Sequence, residues 1–200
     1  MSTDKTFSVK QTCRQCGRSV FTFYHLRAYD TTEVASLKVT EYDRAAAAEY
    51  AMTWAYLRNP RYFAFDDLGG DCTNFASQSV YAGCKTMNFT PVYGWYYISS
   101  DDRTASWSGV EYFYNFITTN NGPGPFAITT EAHRAMTGDI VQLGDEYGRF
   151  YHSLVIAHIT GVSKFDTIRV CAHSSDVNLR RLSSYSFAAA RFIHILGVRS

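Results

Sequence analysis

The chain has 200 residues and a formal net charge of +1 at pH 7, and these values already exclude several classes of protein. The length fits one domain of ordinary size, or one domain with a small appendage. The near-neutral charge gives no electrostatic footprint for nucleic acid, and no apolar run approaches the length of a transmembrane helix. We expect no nucleic-acid partner, no membrane insertion and a monomeric state.

Residues 1–40 are interpreted as an accessory N-terminal segment. Cys13 and Cys16 form a single Cys-x-x-Cys pair, and an alternating apolar run follows, which predicts a turn between two short strands. A structural zinc site usually needs four ligands, and the other candidates, His25 and Cys84, lie outside the pair. We therefore predict no metal and no cofactor. The segment's role stays open between an accessory hairpin, a partner-docking surface and a lid.

The number of cysteines and the N-terminal residues indicate the cellular compartment in which the protein works. Five cysteines cannot form a complete set of disulfides, so we expect mostly free thiols. The segment from Met1 to Thr6 lacks the apolar stretch of a secretory signal. We expect a cytoplasmic protein as the sequence is written, or an exported one if a leader has been removed.

Residues 41–200 are interpreted as one domain in which helices precede a sheet. Alanine-rich residues 43–58 predict a helix that Pro60 ends. A second helix is predicted over residues 72–83, with the Asp71 side chain accepting a backbone N–H of its first turn. The remaining predicted elements are a helix at 106–119 and strands at 92–98, 139–143, 149–160, 167–173 and 191–198. This order is typical of an α+β fold with an antiparallel sheet.

The most informative run is Gly69-Gly70-Asp71-Cys72-Thr73-Asn74-Phe75, where a loop meets a helix. Helix N-termini favour negative charge, so a thiol at Cys72 is expected to ionise readily, and the thiolate is the attacking form. The two glycines allow a sharp turn and a close approach of a substrate carbonyl. The backbone N–H of Cys72 can bind an oxyanion. The alternative interpretation of Cys72 is a buried, inert thiol.

His152 is the candidate general base, because it opens a β-branched, strand-like run and imidazole titrates near neutral pH. A catalytic histidine needs a partner that fixes its tautomer. His173, at the end of the next predicted strand, is one candidate for this orienting residue. Asp176 and Asn178 are the others, if the strand ends earlier and the turn folds back.

Several motifs occur in an order that resembles a known family. They are Tyr42-Asp43-Arg44-Ala45-Ala46-Ala47-Ala48, Asn59-Pro60-Arg61-Tyr62, the Cys72 run, Trp95-Tyr96-Tyr97, Ser106-Trp107, Gly138-Asp139, Tyr151-His152-Ser153 and Ala172-His173. The sequence is similar, from about residue 42 to residue 182, to the amidase domain of papain-like cysteine hydrolases, a relative of the CHAP amidases and bacterial cell-wall endopeptidases. This resemblance implies a papain-like fold, with the nucleophile helix packed on a C-terminal antiparallel sheet.

The resemblance also implies roles for individual residues. Cys72 would be the nucleophile, His152 the base and His173 the orienting residue. Papain-type enzymes carry a glutamine before the cysteine as a second oxyanion donor, and residues 65–68 hold none. Tyr62 is the candidate replacement. Two further residues are expected to help bind the oxyanion or substrate, namely Gly70 and Asp71.

These observations predict a thiol amidase or peptidase that cleaves an amide bond through a thioester intermediate. The relatives named above suggest a peptide substrate, with a bacterial cell-wall (peptidoglycan stem) peptide as the first candidate. Two alternatives stay open. An acyltransferase would use the same Cys72 and His152 but deliver the acyl group to an amine, and a catalytically inactive binding module would keep the fold alone.

Overall fold

The computed structural model describes the backbone of residues 7–12 and 19–24 and all of residues 37–200. The chain divides into two compact units, residues 1–36 and 37–200. In the first, strand β1 (Phe7–Thr12) pairs antiparallel with strand β2 (Ser19–Tyr24). The predicted Cys-x-x-Cys turn and His25 lie outside the described residues, so the statement about zinc stays a prediction.

Four helices precede most of the sheet in the second unit. They are α1 (Arg44–Trp54), α2 (Cys72–Cys84), α3 (Ala105–Ser108) and α4 (Val110–Thr119). Asp43 caps α1, because its side chain accepts the N–H of Ala46 at 2.9 Å, as expected for a short acidic residue at this position. Among the described helices, none is both long and apolar enough to cross a membrane.

The sheet of the second unit has seven strands, and every neighbouring pair in it is antiparallel. The strands are β3 (Val39–Thr40), β4 (Gly124–Thr130), β5 (Ile140–Gly144), β6 (Phe150–Ile159), β7 (Ile168–Ala172), β8 (Val177–Arg181) and β9 (Ala189–Arg199). Their order is β3-β9-β5-β6-β7-β8, with β4 also paired to β9. The predicted α+β class is confirmed.

Helix α2 is the central helix, since 12 of its 13 residues are buried. Small side chains permit this close packing, and a Cβ added at Gly83 would lie 2.4 Å from the Tyr42 ring. The helices cover one face of the sheet, where Phe75, Val155 and Ile193 belong to one apolar cluster. The opposite face carries a second cluster, built on Leu154, Ile156, Val170, Leu182 and Phe192. Helix α2 and strand β6 therefore meet across the first cluster, which brings the two ends that carry Cys72 and His152 to the same part of the domain.

The predicted strand at residues 92–98 is wrong. This region forms loops with two isolated bridges, Asn88 to Trp95 and Tyr97 to Arg103. Its aromatic residues are suited to a pleated surface, but Trp95 is fully buried among other rings instead. Core packing of the indole therefore overrides local strand propensity.

Two other elements differ from the prediction. The predicted helix at 106–119 is broken at Gly109, whose extended backbone separates α3 from α4. Strands β4 and β8 were not predicted, because β4 follows a proline- and glycine-rich turn and β8 is short and mostly polar. Both lie toward the outside of the sheet, where half-exposed strands carry a weak apolar signal.

Candidate active site

Cys72 is the first residue of α2, at the end of a tight loop. Gly69 and Gly70 have φ angles of 96° and 104°, a region that favours glycine. The sulfur is nearly buried, with Cys72 7% exposed. As the first helical residue, Cys72 has a backbone N–H without a carbonyl partner in a preceding helical turn. The predicted start of α2 is thus confirmed, and the backbone N–H of Cys72 is free to donate a hydrogen bond.

The Asp71 side chain does not cap α2, contrary to the prediction. It is fully buried and instead accepts the backbone N–H of Phe65 at 2.9 Å and the side-chain amide of Asn74 at 2.8 Å. Its other carboxylate oxygen lies 2.6 Å from Nδ1 of His173. Because the carboxylate is occupied by these three groups, it holds the loop in place and offers no free oxygen to a substrate.

His173 lies beside Asp71 and is bonded at both ring nitrogens. Nδ1 faces the Asp71 carboxylate, and Nε2 lies 2.9 Å from the backbone oxygen of Trp54. The ring also stacks on Phe75 with centroids 4.0 Å apart. A carboxylate and a carbonyl only accept hydrogen bonds, so both ring nitrogens face acceptors and the ring is held in one orientation. The sequence predicted that His173 orients His152. In the structure, His173 is bonded to the Asp71 carboxylate and the Trp54 carbonyl instead.

The turn after β7 is bonded to the loop before Cys72. Ser174 adopts a φ of 70° and accepts the Asp71 N–H on its hydroxyl at 2.9 Å. A Cβ at Gly70 would lie 3.0 Å from that hydroxyl oxygen. Gly70 is therefore required both by its backbone angle and by the close approach of the turn, whereas a Cβ at Gly69 would meet nothing within 4 Å.

Asp176 and Asn178, the other candidates for orienting His152, also have different partners. Asp176 binds Arg58 at 2.9 Å, and Arg58 in turn binds Asp66 at 2.6 Å. Asn178 accepts the thiol of Cys171 at 3.2 Å. Both residues thus fasten the β7–β8 end of the sheet rather than His152.

Cys72 is connected to strand β6 through its neighbour. The hydroxyl of Thr73 lies 2.9 Å from that of Ser153, which also accepts the side-chain amide of Gln142 at 3.0 Å. The backbone N–H of Ser153 also lowers the pKa of the Cys72 thiol. Ser153 directly follows His152, so the structure brings the cysteine and the histidine strand together at one point.

His152 is half-buried, and its ring makes no hydrogen bond to any described residue. Burial lowers its pKa to about 4 from the ordinary 6.5, because a cation loses hydration there. The ring is therefore neutral at pH 7. A neutral imidazole can accept a proton, which is what a general base must do.

Burial raises the pKa of the Cys72 thiol above its ordinary value, and the hydrogen bonds from Ser153 and Thr73 oppose this only in part. The sequence predicted a readily ionised thiol on the strength of the helix end, so the structure corrects that prediction. Desolvation of the sulfur outweighs its donors. At rest, Cys72 is therefore a thiol rather than a thiolate, and His152 is neutral.

Tyr62 belongs to an aromatic cluster under the loop. Its ring centroid lies 5.2 Å from that of Tyr97 and 5.8 Å from that of Trp107. Burial raises the pKa of the Tyr62 phenol, so the hydroxyl stays protonated at neutral pH. Its role as an oxyanion donor stays a prediction.

Three polar residues of the site were not singled out from the sequence. Asn74 is buried, donates to the Phe63 carbonyl at 3.0 Å and to Asp71, and accepts the Trp107 indole N–H at 2.8 Å. Thr73 and Ser153 join helix to strand. The spacing of Asp71 and Asn74, three apart, is a signal that could have indicated a pair on one helix face. Among the described residues, no group of three His, Cys, Asp or Glu side chains could hold a metal ion.

Comparisons with known proteins agree with the amidase resemblance. Residues 41–196 match the family described as "Putative amidase domain", and the chain belongs to that family. A relative in Bacillus subtilis (strain 168), named "Uncharacterized protein YhbB", is 32% identical over 119 residues, which is 58% of this chain and 37% of the relative. The chain thus spans little more than a third of that protein. No solved structure matches the chain. The family description indicates an amide-bond hydrolase.

Proposed function

We propose that this protein is a cysteine-dependent amide hydrolase with a papain-like arrangement, in which Cys72 is the nucleophile and His152 the base. The observation that carries the proposal is the 2.9 Å contact between the hydroxyls of Thr73, which follows Cys72, and Ser153, which follows His152. It joins the first turn of a buried helix to the strand that holds a neutral, half-buried histidine. A nucleophile and a base brought together by a helix end and a strand start are the parts that acyl transfer requires.

The reaction starts from the neutral pair. As the sulfur attacks the amide carbon, the thiol proton passes to the free nitrogen of His152, and the carbonyl oxygen becomes an oxyanion that the Cys72 N–H stabilises. The imidazolium then gives this proton to the leaving amine while the C–N bond breaks, which leaves a thioester on Cys72. Water attacks the thioester with His152 as base, and the acid and the free thiol are released.

The proposed substrate is a peptide amide, with a peptidoglycan stem peptide as the first candidate. The support for an amide is the family description, while the peptide assignment comes from the resemblance to cell-wall endopeptidases. Because a fold does not fix a substrate, the proposal commits to the bond and leaves the peptide to a direct screen.

The test is mass spectrometry of purified muropeptides and of a peptide library after incubation with the full chain. The expected result is new amine and carboxylate termini, each pair adding one water. Cys72→Ala and His152→Ala should lose this product, and Cys171→Ala should retain it, since the Cys171 thiol donates to Asn178 instead. Product formation by Cys72→Ala would refute the proposal.

One observation favours a second candidate, a binding module without catalysis. The raised pKa of the Cys72 thiol is what an inert, buried cysteine would have. The two functions separate in a pre-steady-state experiment on an ester or thioester substrate. An enzyme acquires the acyl mass on the Cys72 peptide, and a binding module binds the substrate without any covalent adduct.

A further inference from the structure

Tyr185 and His152 are two half-buried side chains whose polar atoms make no hydrogen bond to any described residue. The Tyr185 hydroxyl is buried and has no hydrogen-bond partner among the described residues. The His152 ring is likewise without a hydrogen bond among them. Buried polar atoms are nearly always bonded, so an unbonded hydroxyl in a native fold needs an explanation.

The two rings lie close together. Their centroids are 6.3 Å apart at an interplanar angle of 49°. A phenol hydroxyl and an imidazole nitrogen both project outward from their rings, and these projections together with one hydrogen bond span a separation of this size. A rotation of the His152 side chain, while the Tyr185 ring stays in place, is the movement that would join the two groups.

The rest of Tyr185 is held from the other side. Its backbone N–H donates to the Leu182 carbonyl at 3.2 Å, and its ring packs against the sheet cluster that contains Leu182. The guanidinium of Arg180 lies over the ring, 4.1 Å from the centroid. Arg180 is itself fixed by two hydrogen bonds to Ser184, at 2.9 and 3.0 Å. The ring plane is thus fixed, and the hydroxyl is the free end.

We propose that Tyr185 is the positioning residue of His152, its hydroxyl oxygen accepting the ring N–H of the nitrogen that does not serve as base. This assignment rests on the proposed function. It supplies the tautomer-fixing partner that His173, Asp176 and Asn178 do not supply, because each of those is bonded elsewhere. The other nitrogen of His152 is then left unprotonated, as proton transfer from Cys72 requires.

The phenol oxygen suits this role because it remains neutral. Burial raises the pKa of Tyr185, and the nearby Arg180 opposes this rise only in part. A neutral phenol can accept a hydrogen bond without introducing a charge beside the imidazole. The low pKa of His152 that burial produces is therefore retained, and the base stays neutral at working pH.

The test is ¹⁵N NMR of the full chain labelled at histidine, with the His152 signals assigned by comparison with His152→Gln. The two ring nitrogens of a neutral imidazole have different shifts when one tautomer dominates and approach each other when both are populated. Wild type is expected to show one tautomer, and Tyr185→Phe a mixture of both. The matched control is Tyr147→Phe, which removes the same hydroxyl from a ring that is 76% exposed, and it should keep the wild-type spectrum.

The same variants are then compared for hydrolysis, where Tyr185→Phe should lower kcat about 10-fold with KM unchanged, since positioned proton transfer contributes at least about that much. An unchanged His152 tautomer in Tyr185→Phe would overturn the assignment. The NMR result does not depend on a substrate. A wild-type protein that fails to hydrolyse any amide, yet shows the tautomer change, would refute the proposed function and leave the Tyr185–His152 bond standing.

Discussion

The two histidines near Cys72 are buried in opposite ways. His173 has an acceptor at each nitrogen and a ring stacked on its face, so its surroundings stabilise one orientation. His152 has no bonded partner among the described residues, and burial alone keeps it neutral. The comparison teaches that a histidine with satisfied nitrogens supports the fold, while a histidine with an unused nitrogen is free for chemistry.

The largest effect should come from removing Asp71, the bonded partner of His173. Asp71→Ala removes the acceptor shared by Phe65, Asn74 and His173. We expect a loss of about 3–5 kcal/mol in the free energy of unfolding, because each buried donor left unpaired costs about 1–3 kcal/mol. Urea denaturation followed by circular dichroism measures it. Asp66→Ala removes a more exposed carboxylate and should have a much smaller effect. Equal losses for the two variants would contradict the buried network around Asp71.

The next largest effect concerns His152, which has no bonded partner among the described residues. It appears as a pH dependence of the free energy of unfolding. The unfolded chain protonates His152 near pH 6.5, whereas the folded chain does so only near 4. The unfolded state thus binds more protons between these values, and stability is complete above about pH 6.5 and falls as the pH falls toward 4. The expected loss is about 3 kcal/mol at 1.36 kcal/mol per pKa unit.

Denaturation at pH 7 and pH 4.5 tests this loss in wild type and in His152→Gln. The variant should lose less stability between the two pH values, because it has no imidazole to protonate. His133→Gln is the matched control, since His133 is exposed, and it should keep the wild-type dependence. Identical pH dependence in wild type and His152→Gln would refute the low pKa of His152.

A smaller effect compares the three described thiols, which are all buried. Burial raises the pKa of Cys84 to about 12 and that of Cys171 to about 11, whereas the donors beside Cys72 limit its rise. Because the thiolate is the reactive form, iodoacetamide at pH 8 should label Cys72 first, then Cys171, then Cys84, with about 10-fold between the last two. Peptide mass spectrometry gives the rates, and faster labelling of Cys84 than of Cys72 would contradict the order.

The smallest effect should come from Arg58, which joins Asp66 and Asp176 at the edge of the paired region. Its ion pairs with Asp66 and Asp176 are partly exposed, and such pairs contribute about 0–1 kcal/mol each. Its Nε also lies 3.9 Å from the carboxylate of the buried Asp71, beyond hydrogen-bond distance. Arg58→Gln should therefore lower the free energy of unfolding by about 1 kcal/mol, and by less in 1 M salt. A loss as large as that of Asp71→Ala would place Arg58 inside the buried network instead.

The elements of the site could be predicted from the sequence, but their side-chain partners could not. Strand β6 was predicted because its apolar run is continuous, and the start of α2 because two glycines and an aspartate precede it. The partner of His173 depends on how the end of β7 meets a loop one hundred residues earlier, and no local pattern encodes that contact. The predicted hydrogen-bond partner of the Asp71 side chain was wrong for the same reason, because the distant His173 competes with the backbone N–H groups of α2.

The pKa of Cys72 shows a second limit of sequence reasoning. The helix start predicts stabilisation of a thiolate, but the size of the opposing desolvation depends on how deeply the sulfur is buried. Burial is set by the whole domain, including the strand that covers the sulfur. A motif can therefore locate a nucleophile while leaving its resting protonation state undetermined.

The bond from His173 to the Trp54 carbonyl has a consequence for the two helices it touches. Trp54 ends α1, where the helix macrodipole is negative, and Asp71 precedes α2, where it is positive. The ring of His173 and the carboxylate of Asp71 therefore lie at helix ends of opposite polarity, and the carboxylate occupies the end that favours its charge. Exchanging the two residues would keep the contact but place the carboxylate against the negative end of α1, so the order of acid and base along this chain matters for stability.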